Sequence, residues 1–398
     1  MRVDYDVIVV GAGPGGSTAA RFCAKAGLKT LLIEKEKMPR YKACGGCLSL
    51  KTVHFLDLDL SPVLENTIYG VKFTYRMRDP LSIALKEPVA FMVMRDRFDQ
   101  FLVNKALKEG SEILEGVKVI GGEEKSDGVE VTLARGERMR CEYLIGADGG
   151  ESIVAKSLSL VPSKGNGIGV ESEIPYESTH GFPEEECQRV HLNFGGVPNG
   201  YSWVFPKKEG LSIGIGGMLL DGVKMNPRKY LTEFLKGLNY VCEKKVKRVV
   251  GHPLPSFYDE EQKVSKGRVL LVGDAARLMD PLMGEGIYYA LRSGMLAAEA
   301  ILFSKEDGSL PSFRYQQTIH HQISENLKWA LRFSRFIFRF TPLAYRTLKR
   351  YPELADVYLQ VLEGKETYQG FVARVKERMR DLLQGRLSEK IKKAMAGA

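Results

Sequence analysis

DYDVIVVGAGPGGSTAARFCAKAG, residues 4–27, runs from a β-branched stretch through a glycine-rich turn into a series of helix formers. Residues 4–10 have the near-continuous apolar character of a buried parallel strand. The helical composition that follows stops at Gly27, a residue suited to a helix end. KTLLIEKE, residues 29–36, reads as a second strand. Strand, turn, helix and strand together make a βαβ unit. Within it, Gly11, Gly13 and Gly16 form G-x-G-x-x-G, with Pro14 and Gly15 filling the turn. Gly11 permits the tight turn, Gly13 lets backbone approach a pyrophosphate, and Gly16 lets the helix pack against the strand. The free N–H groups and dipole of the helix start then favour phosphate. Glu34, 18 residues after Gly16, ends the second strand and is placed to accept from ribose hydroxyls. An acid there argues against a 2′-phosphate, which favours FAD or NAD over NADP.

Two distant segments repeat the theme of an apolar strand ending in a turn with an aspartate. They are YLIGADGGES (143–152), carrying Asp148, and GRVLLVGDAARLMDPLMGEGIYYAL (267–291), carrying Asp274. Asp274 is suited to a polyol hydroxyl. Gly284 and Gly286 open a second helix, whose N–H cluster suits a pyrimidine carbonyl or phosphate. Two helix starts far apart in sequence fit a long ligand recognised at both ends. Extended FAD is such a ligand.

The rest of the 398 residues gives an α/β (α+β) organisation. The expected parts are a discontinuous Rossmann-like FAD-binding domain (1–70, 95–160 and 265–305), an inserted antiparallel β-sheet domain (71–94 and 161–264) and a helical C-terminal region (306–398). MRDRFDQFLVNKALKEG, residues 94–110, has the pattern of an amphipathic helix. No apolar run reaches the length of about 18 residues that spans a bilayer, and the N-terminus lacks a signal-peptide layout. The location expected is cytoplasmic. Six scattered cysteines do not make a disulfide framework, and no histidine or second cysteine pair completes a zinc site, so no metal is expected.

PRYKACGGCLS, residues 39–49, contains a C-x-x-C at Cys44 and Cys47. By spacing alone it is a redox dithiol, half a metal site, or neither. It does not open a helix as a thioredoxin-like pair does. It follows Glu34 by about ten residues, and Gly45 and Gly46 leave the segment free of bulky side chains.

These motifs resemble the three FAD motifs of the aromatic-hydroxylase-like flavoproteins. Three further features are similar to the geranylgeranyl reductase family: KACGGCLS, with its C-G-x-G-L-S form; YSWVFPKKEGLSIGIGG (201–217), with its Y-x-W-x-F-P; and GEGIYYA (284–290). The resemblance covers about residues 1–305. It implies FAD contacts at Gly13 to Gly16, Glu34, Cys44 to Gly46, Arg97, Val119, Asp274, Gly286 and Ile287. Arg97 is expected to face the phosphates, the plainer reading being a solvated helix charge. The resemblance also implies reduction of isolated C=C bonds in polyprenyl chains, by hydride from the flavin and a proton from a positioned acid. Cys44 is then a proton donor or part of the substrate face, or else a small buried residue. Tyr201, Trp203 and Phe205 alternate onto one strand face, as a tunnel wall or as ordinary core. Tyr288 and Tyr289 are further candidates for the flavin edge. Cys47 stands where that family has glycine, so a left-handed backbone there is expected to be costly, and a Cys44–Cys47 disulfide stays open.

The formal charge of +9 lies entirely in residues 312–398, with 17 basic against 8 acidic residues. Residues 312–350 interleave Arg332, Arg335 and Arg339 with Trp329, Phe333, Phe336 and Phe340, as a basic amphipathic helix does on an anionic membrane. A packed helix with a charged outer face is the bland alternative. No nucleic-acid fold signature accompanies the charge. The expected partners are therefore a polyprenyl lipid, an anionic membrane surface, and NAD(P)H or a ferredoxin as electron donor, since no second nucleotide-binding motif is present. The competing functions are a monooxygenase or halogenase on the same fold, a quinone-linked electron-transfer flavoprotein, and a non-catalytic prenyl binder.

Overall fold

A computed structural model describes residues 3–160, 166–219, 225–259, 261–378 and 380–381. Its largest sheet has eight strands. Tyr5–Val10 lies between Thr30–Glu34 and Arg138–Gly146, all parallel, with Val7 level with both Thr30 and Tyr143. Glu112–Glu115 and Val269–Leu271 extend the parallel array on either side. The hairpin of Val119–Lys125 and Gly128–Leu133 pairs antiparallel onto Arg138–Gly146. Both faces of the parallel strands are covered, so Val7, Ile8, Val9, Leu144 and Ile145 are fully buried. Each such side chain contributes about 1.5–3 kcal/mol by leaving water. Helices Pro14–Lys25, Arg95–Lys108 and Ile287–Asp307 pack on this sheet or on one another.

A second sheet runs in the order Val250–Pro255, Asn166–Pro175, Gly210–Met218, Gly200–Pro206, Arg189–Phe194, Gly70–Tyr75, Arg78–Ala84. It is antiparallel except where Arg189–Phe194 pairs parallel with Gly70–Tyr75. A third sheet joins Cys47–Ser49, Ala90–Val93 and Leu64–Ile68 at the seam of the other two. Residues 90–93, expected in the inserted domain, thus pair with the cysteine segment instead.

The C-terminal region is helical: Pro311–Ile319, a π turn at His320–Ser324, Glu325–Arg339, Thr341–Arg350, Glu353–Leu362 and a helix over 368–378. Tyr315 anchors it to the parallel sheet by donating to the Leu271 carbonyl at 2.6 Å. The apolar side of Glu325–Arg339 buries Leu327, Ala330 and Leu331. Among the described residues no helix is long and apolar enough to cross a membrane.

Candidate active site

A cavity of about 1950 Å³ runs from the first glycine turn, past the cysteine segment, to the C-terminal helices. That is roughly twice the upper range for a single drug-sized ligand. Its two ends differ in chemistry.

The first end is polar and shaped by backbone. Gly11 adopts φ +102°, and a Cβ there would sit 2.3 Å from the Ala147 carbonyl oxygen. A Cβ on Gly16 would sit 1.8 Å from the Gly11 oxygen. Gly11, Gly13, Pro14 and Gly15 line the cavity, while Gly16 stands behind them and lets the helix close on the turn. Glu34 is 4% exposed, and its Oε2 accepts from the Ala12 amide at 2.9 Å. Val119, Asp148, Asp274, Gly284, Gly286 and Ile287 also face the cavity. Asp148 Oδ2 accepts from the amides of Ile153 and Val154, at 2.7 and 3.2 Å, and so caps the short helix Ile153–Ser157. Burial raises the Asp274 carboxyl above its usual range, against the opposing charges of Lys42 and Arg95.

Arg97 points elsewhere. It is half exposed and paired with Glu65 at 2.9 Å. Arg95 takes the cavity position. Two residues rotate a helix by roughly 200°, so only one of the two arginines can face inward. Arg95 is held by Asp99 through Nε at 2.8 Å and Nη2 at 2.9 Å, and Asp99 also holds Arg40 Nη1 at 2.8 Å. Sequence reading missed Arg40, Lys42, Arg95 and Asp99. The one available signal was the four-residue Arg95–Asp99 spacing in the helix. Lys42 contacts His252, and burial pushes its ammonium down to about 8, with Asp274 opposing and Arg95 reinforcing.

The cysteine segment crosses the middle of the cavity. Both cysteines are free thiols. The left-handed backbone falls on Gly46, at φ +69°, where a Cβ would meet the Val93 oxygen at 2.0 Å. Cys47 begins a regular strand paired with Met92, so a side chain costs nothing there. Burial pushes the Cys47 thiol up to about 12. Cys44 lines the cavity, with its amide donating to Glu171 Oε1 at 2.8 Å and its Sγ accepting from the Gly46 amide at 3.4 Å. Glu171 also accepts from the Tyr41 hydroxyl at 3.0 Å. This acid from the inserted sheet thereby fixes the loop; nothing local in the sequence marks it.

The second end is aromatic and apolar. Along Gly200–Pro206, Ser202, Val204 and Pro206 are buried beneath the strand, and Tyr201, Trp203 and Phe205 face the cavity. Their ring centroids lie 6.1 and 5.9 Å apart in series. The Tyr201 hydroxyl donates to the Met283 carbonyl, tying this wall to the loop before Gly284. Trp329, Phe333, Ile337 and Leu359 add apolar lining from the C-terminal helices. Tyr288 and Tyr289 turn away from the cavity, their ring centroids 4.7 and 5.0 Å from the Lys51 ammonium.

The polar end fits FAD on its own features. Backbone at Gly13 lies open to the cavity, two helix starts face it, and Asp148 Oδ1 is buried without a partner among the described residues.

Comparison with known proteins agrees. Residues 4–174 match an FAD-binding domain model, and residues 170–252 match a geranylgeranyl reductase catalytic domain. An uncharacterized protein of Methanosarcina barkeri is 32% identical over 92% of both chains. A digeranylgeranylglycerophospholipid reductase of Thermoplasma volcanium is 32% identical over 74% of this chain and 77% of its own. Among solved structures, a geranylgeranyl bacteriochlorophyll reductase-like protein of Thermoplasma acidophilum superposes with a TM-score of 0.78 at 25% identity, covering 94% of this chain and 98% of that one.

Proposed function

This chain belongs to the geranylgeranyl reductase family, FAD-dependent oxidoreductases that reduce the C=C bonds of prenyl chains, and on that premise we propose that it saturates a geranylgeranyl chain carried by a lipid. One observation carries this reading: the cavity is continuous, polar and glycine-lined at one end, apolar and aromatic at the other. An unpolarised chain needs no polar contacts along its length, only apolar walls that exclude water.

FAD supplies hydride when reduced. In this proposal Gly13 to Gly15 and the start of Pro14–Lys25 hold its diphosphate, Glu34 takes the ribose, and Arg40 and Arg95 add positive charge anchored by Asp99. The start of Ile287–Asp307, with Gly284, Gly286 and Asp274, holds the far end. Cys44, Gly45, Gly46 and Cys47 bring the chain close to the ring, and Cys44 meets the substrate. Tyr201, Trp203 and Phe205 orient the prenyl chain. The test is anaerobic: reduce the bound flavin with dithionite, add a geranylgeranyl lipid, and follow flavin reoxidation together with mass gain by hydrogen pairs. Reoxidation with mass gain is expected; a flavin that stays reduced with every polyprenyl lipid overturns the reading.

We further propose that the C-terminal helices rest on an anionic membrane. At the cavity mouth Phe336, Phe340 and Leu343 are 54%, 43% and 60% exposed, interleaved with Arg339 and Arg346. Apolar tips amid arginines suit a headgroup layer, and a lipid substrate would enter there directly. Sedimentation with anionic but not neutral vesicles at low salt is expected; equal recovery with both overturns it. NAD(P)H bound transiently, or a ferredoxin on the basic surface, is the proposed electron source.

A further inference from the structure

Reduction of an isolated C=C bond consumes a proton as well as a hydride, so the cavity must present an acid to the chain. Tyr201 is poorly suited, because its hydroxyl is committed to the Met283 carbonyl. Tyr358 is differently placed. It comes from helix Glu353–Leu362, its ring lines the cavity, and its hydroxyl lies 3.2 Å from that of Tyr368. Tyr368 is fully buried, and its hydroxyl donates to Asp280 Oδ2 at 2.6 Å. Asp280, 1% exposed, sits in the loop before Gly284, where its Oδ1 accepts from the amides of Leu282 and Met283, at 2.7 and 3.2 Å. Two hydroxyls thus form one unbroken chain from the cavity wall to a buried carboxyl.

We infer that Tyr358, Tyr368 and Asp280 form a proton relay that opens on the substrate cavity at Tyr358. This deepens the prenyl-reductase reading and rests on it. The Tyr358 O–H bond breaks as a C–H bond forms on one alkene carbon, while the neighbouring carbon receives the hydride and its electron pair. The Tyr358 oxygen takes the Tyr368 proton, and Tyr368 takes the proton of the Asp280 carboxyl. The net change is one proton lost from Asp280, which is left as a carboxylate on two amide donors and must be reprotonated between turnovers.

The surroundings set this direction of transfer. Burial raises the Asp280 carboxyl, and Glu285 reinforces the effect; the Tyr368 hydrogen bond, Lys51 and the Leu282 amide oppose it. Burial and then Asp280 push both tyrosines well above the ordinary phenol range. In the proposed relay Asp280, a buried carboxyl at the end of the hydrogen-bonded chain, serves as the reservoir. Lys51, 8% exposed and paired with Glu285 at 2.5 Å, supplies positive charge for the carboxylate that forms. In this scheme Tyr358 is the catalytic residue, and Tyr368 and Asp280 act through it.

The same bonds would also be drawn if they only clamped the C-terminal region onto the loop, so the test separates the two roles. Infrared spectra of the FAD-free protein at neutral pH are expected to show a protonated-carboxyl stretch that Asp280→Asn removes and Tyr368→Phe shifts. In FAD-loaded, dithionite-reduced protein, Tyr358→Phe and Asp280→Asn are expected to slow reoxidation by geranylgeranyl lipid roughly a hundredfold, with flavin content and melting temperature held. The wild-type rate is expected to fall as pH rises through the Asp280 titration, and Asp280→Asn to lose that dependence. Absence of the carboxyl band, or a Tyr358→Phe protein reoxidising at the wild-type rate, overturns the relay. A wild-type protein that shows the band but is not reoxidised by any polyprenyl lipid overturns the substrate reading instead.

Discussion

The two ends of the cavity are built from different parts of the chain. At the dinucleotide end the backbone makes the site: Gly11 and Gly16 are required because a Cβ would collide with main-chain oxygen. At the prenyl end side chains make it, and they arrive from several elements, among them strand Gly200–Pro206, helix Glu325–Arg339 and helix Glu353–Leu362. A backbone-built site depends on a few local residues that tolerate little change. A side-chain-built site spreads its binding energy, and each residue can be trimmed with a graded loss.

That contrast has measurable consequences, beginning with the largest. Gly16→Ala places a Cβ 1.8 Å from the Gly11 oxygen and is expected to cost about 3 kcal/mol or more, seen as lost flavin and a lowered melting temperature. A yellow variant with normal melting would break the distinction. Phe333→Ala is expected to weaken the prenyl lipid by roughly 10- to 100-fold, the value of one buried aromatic, with flavin content unchanged; loss of flavin instead would show that the two ends are not independent. Between them, Lys42 links the cofactor end to the inserted sheet through His252. With its titration pushed down to about 8, its positive charge is present below that pH and lost above it. FAD affinity, measured by fluorescence titration, is expected to fall several-fold as pH rises through 8, and Lys42→Met to be weaker at neutral pH and flat. The smallest effect concerns the outer rim. Arg339→Gln and Arg346→Gln are each expected to reduce binding to anionic vesicles about fivefold while leaving neutral vesicles and flavin content untouched.

The dinucleotide end was legible because its constraints are local. Gly11, Gly13, Gly16 and Glu34 fall within one βαβ unit, where steric rules dictate residue type at fixed spacing. The aromatic alternation at Tyr201, Trp203 and Phe205 was legible for a similar reason, since a strand repeats every two residues. Arg97 was chosen where Arg95 lines the cavity, because composition names an arginine in the stretch but only the helix phase against Asp99 says which one turns inward. The concern about Cys47 dissolved in the same way: the left-handed residue is Gly46, one position earlier, where the Val93 carbonyl lies close. Glu171, which steadies Cys44 across 127 residues of chain, had no local signature at all.

The amino-acid sequence by itself determined the nucleotide-binding architecture, the FAD turn, the second helix start and the basic, amphipathic character of the C-terminal region, because each follows from steric and periodic rules acting over a few residues. The tertiary structure alone decided which cations stand beside the cofactor site. It alone turned the apolar side of the C-terminal helices into a cavity wall, and it alone brought Tyr358, Tyr368 and Asp280 into one hydrogen-bonded chain. Those arrangements depend on side chains up to 210 residues apart meeting within hydrogen-bond reach, and only packing of the whole chain fixes such distances.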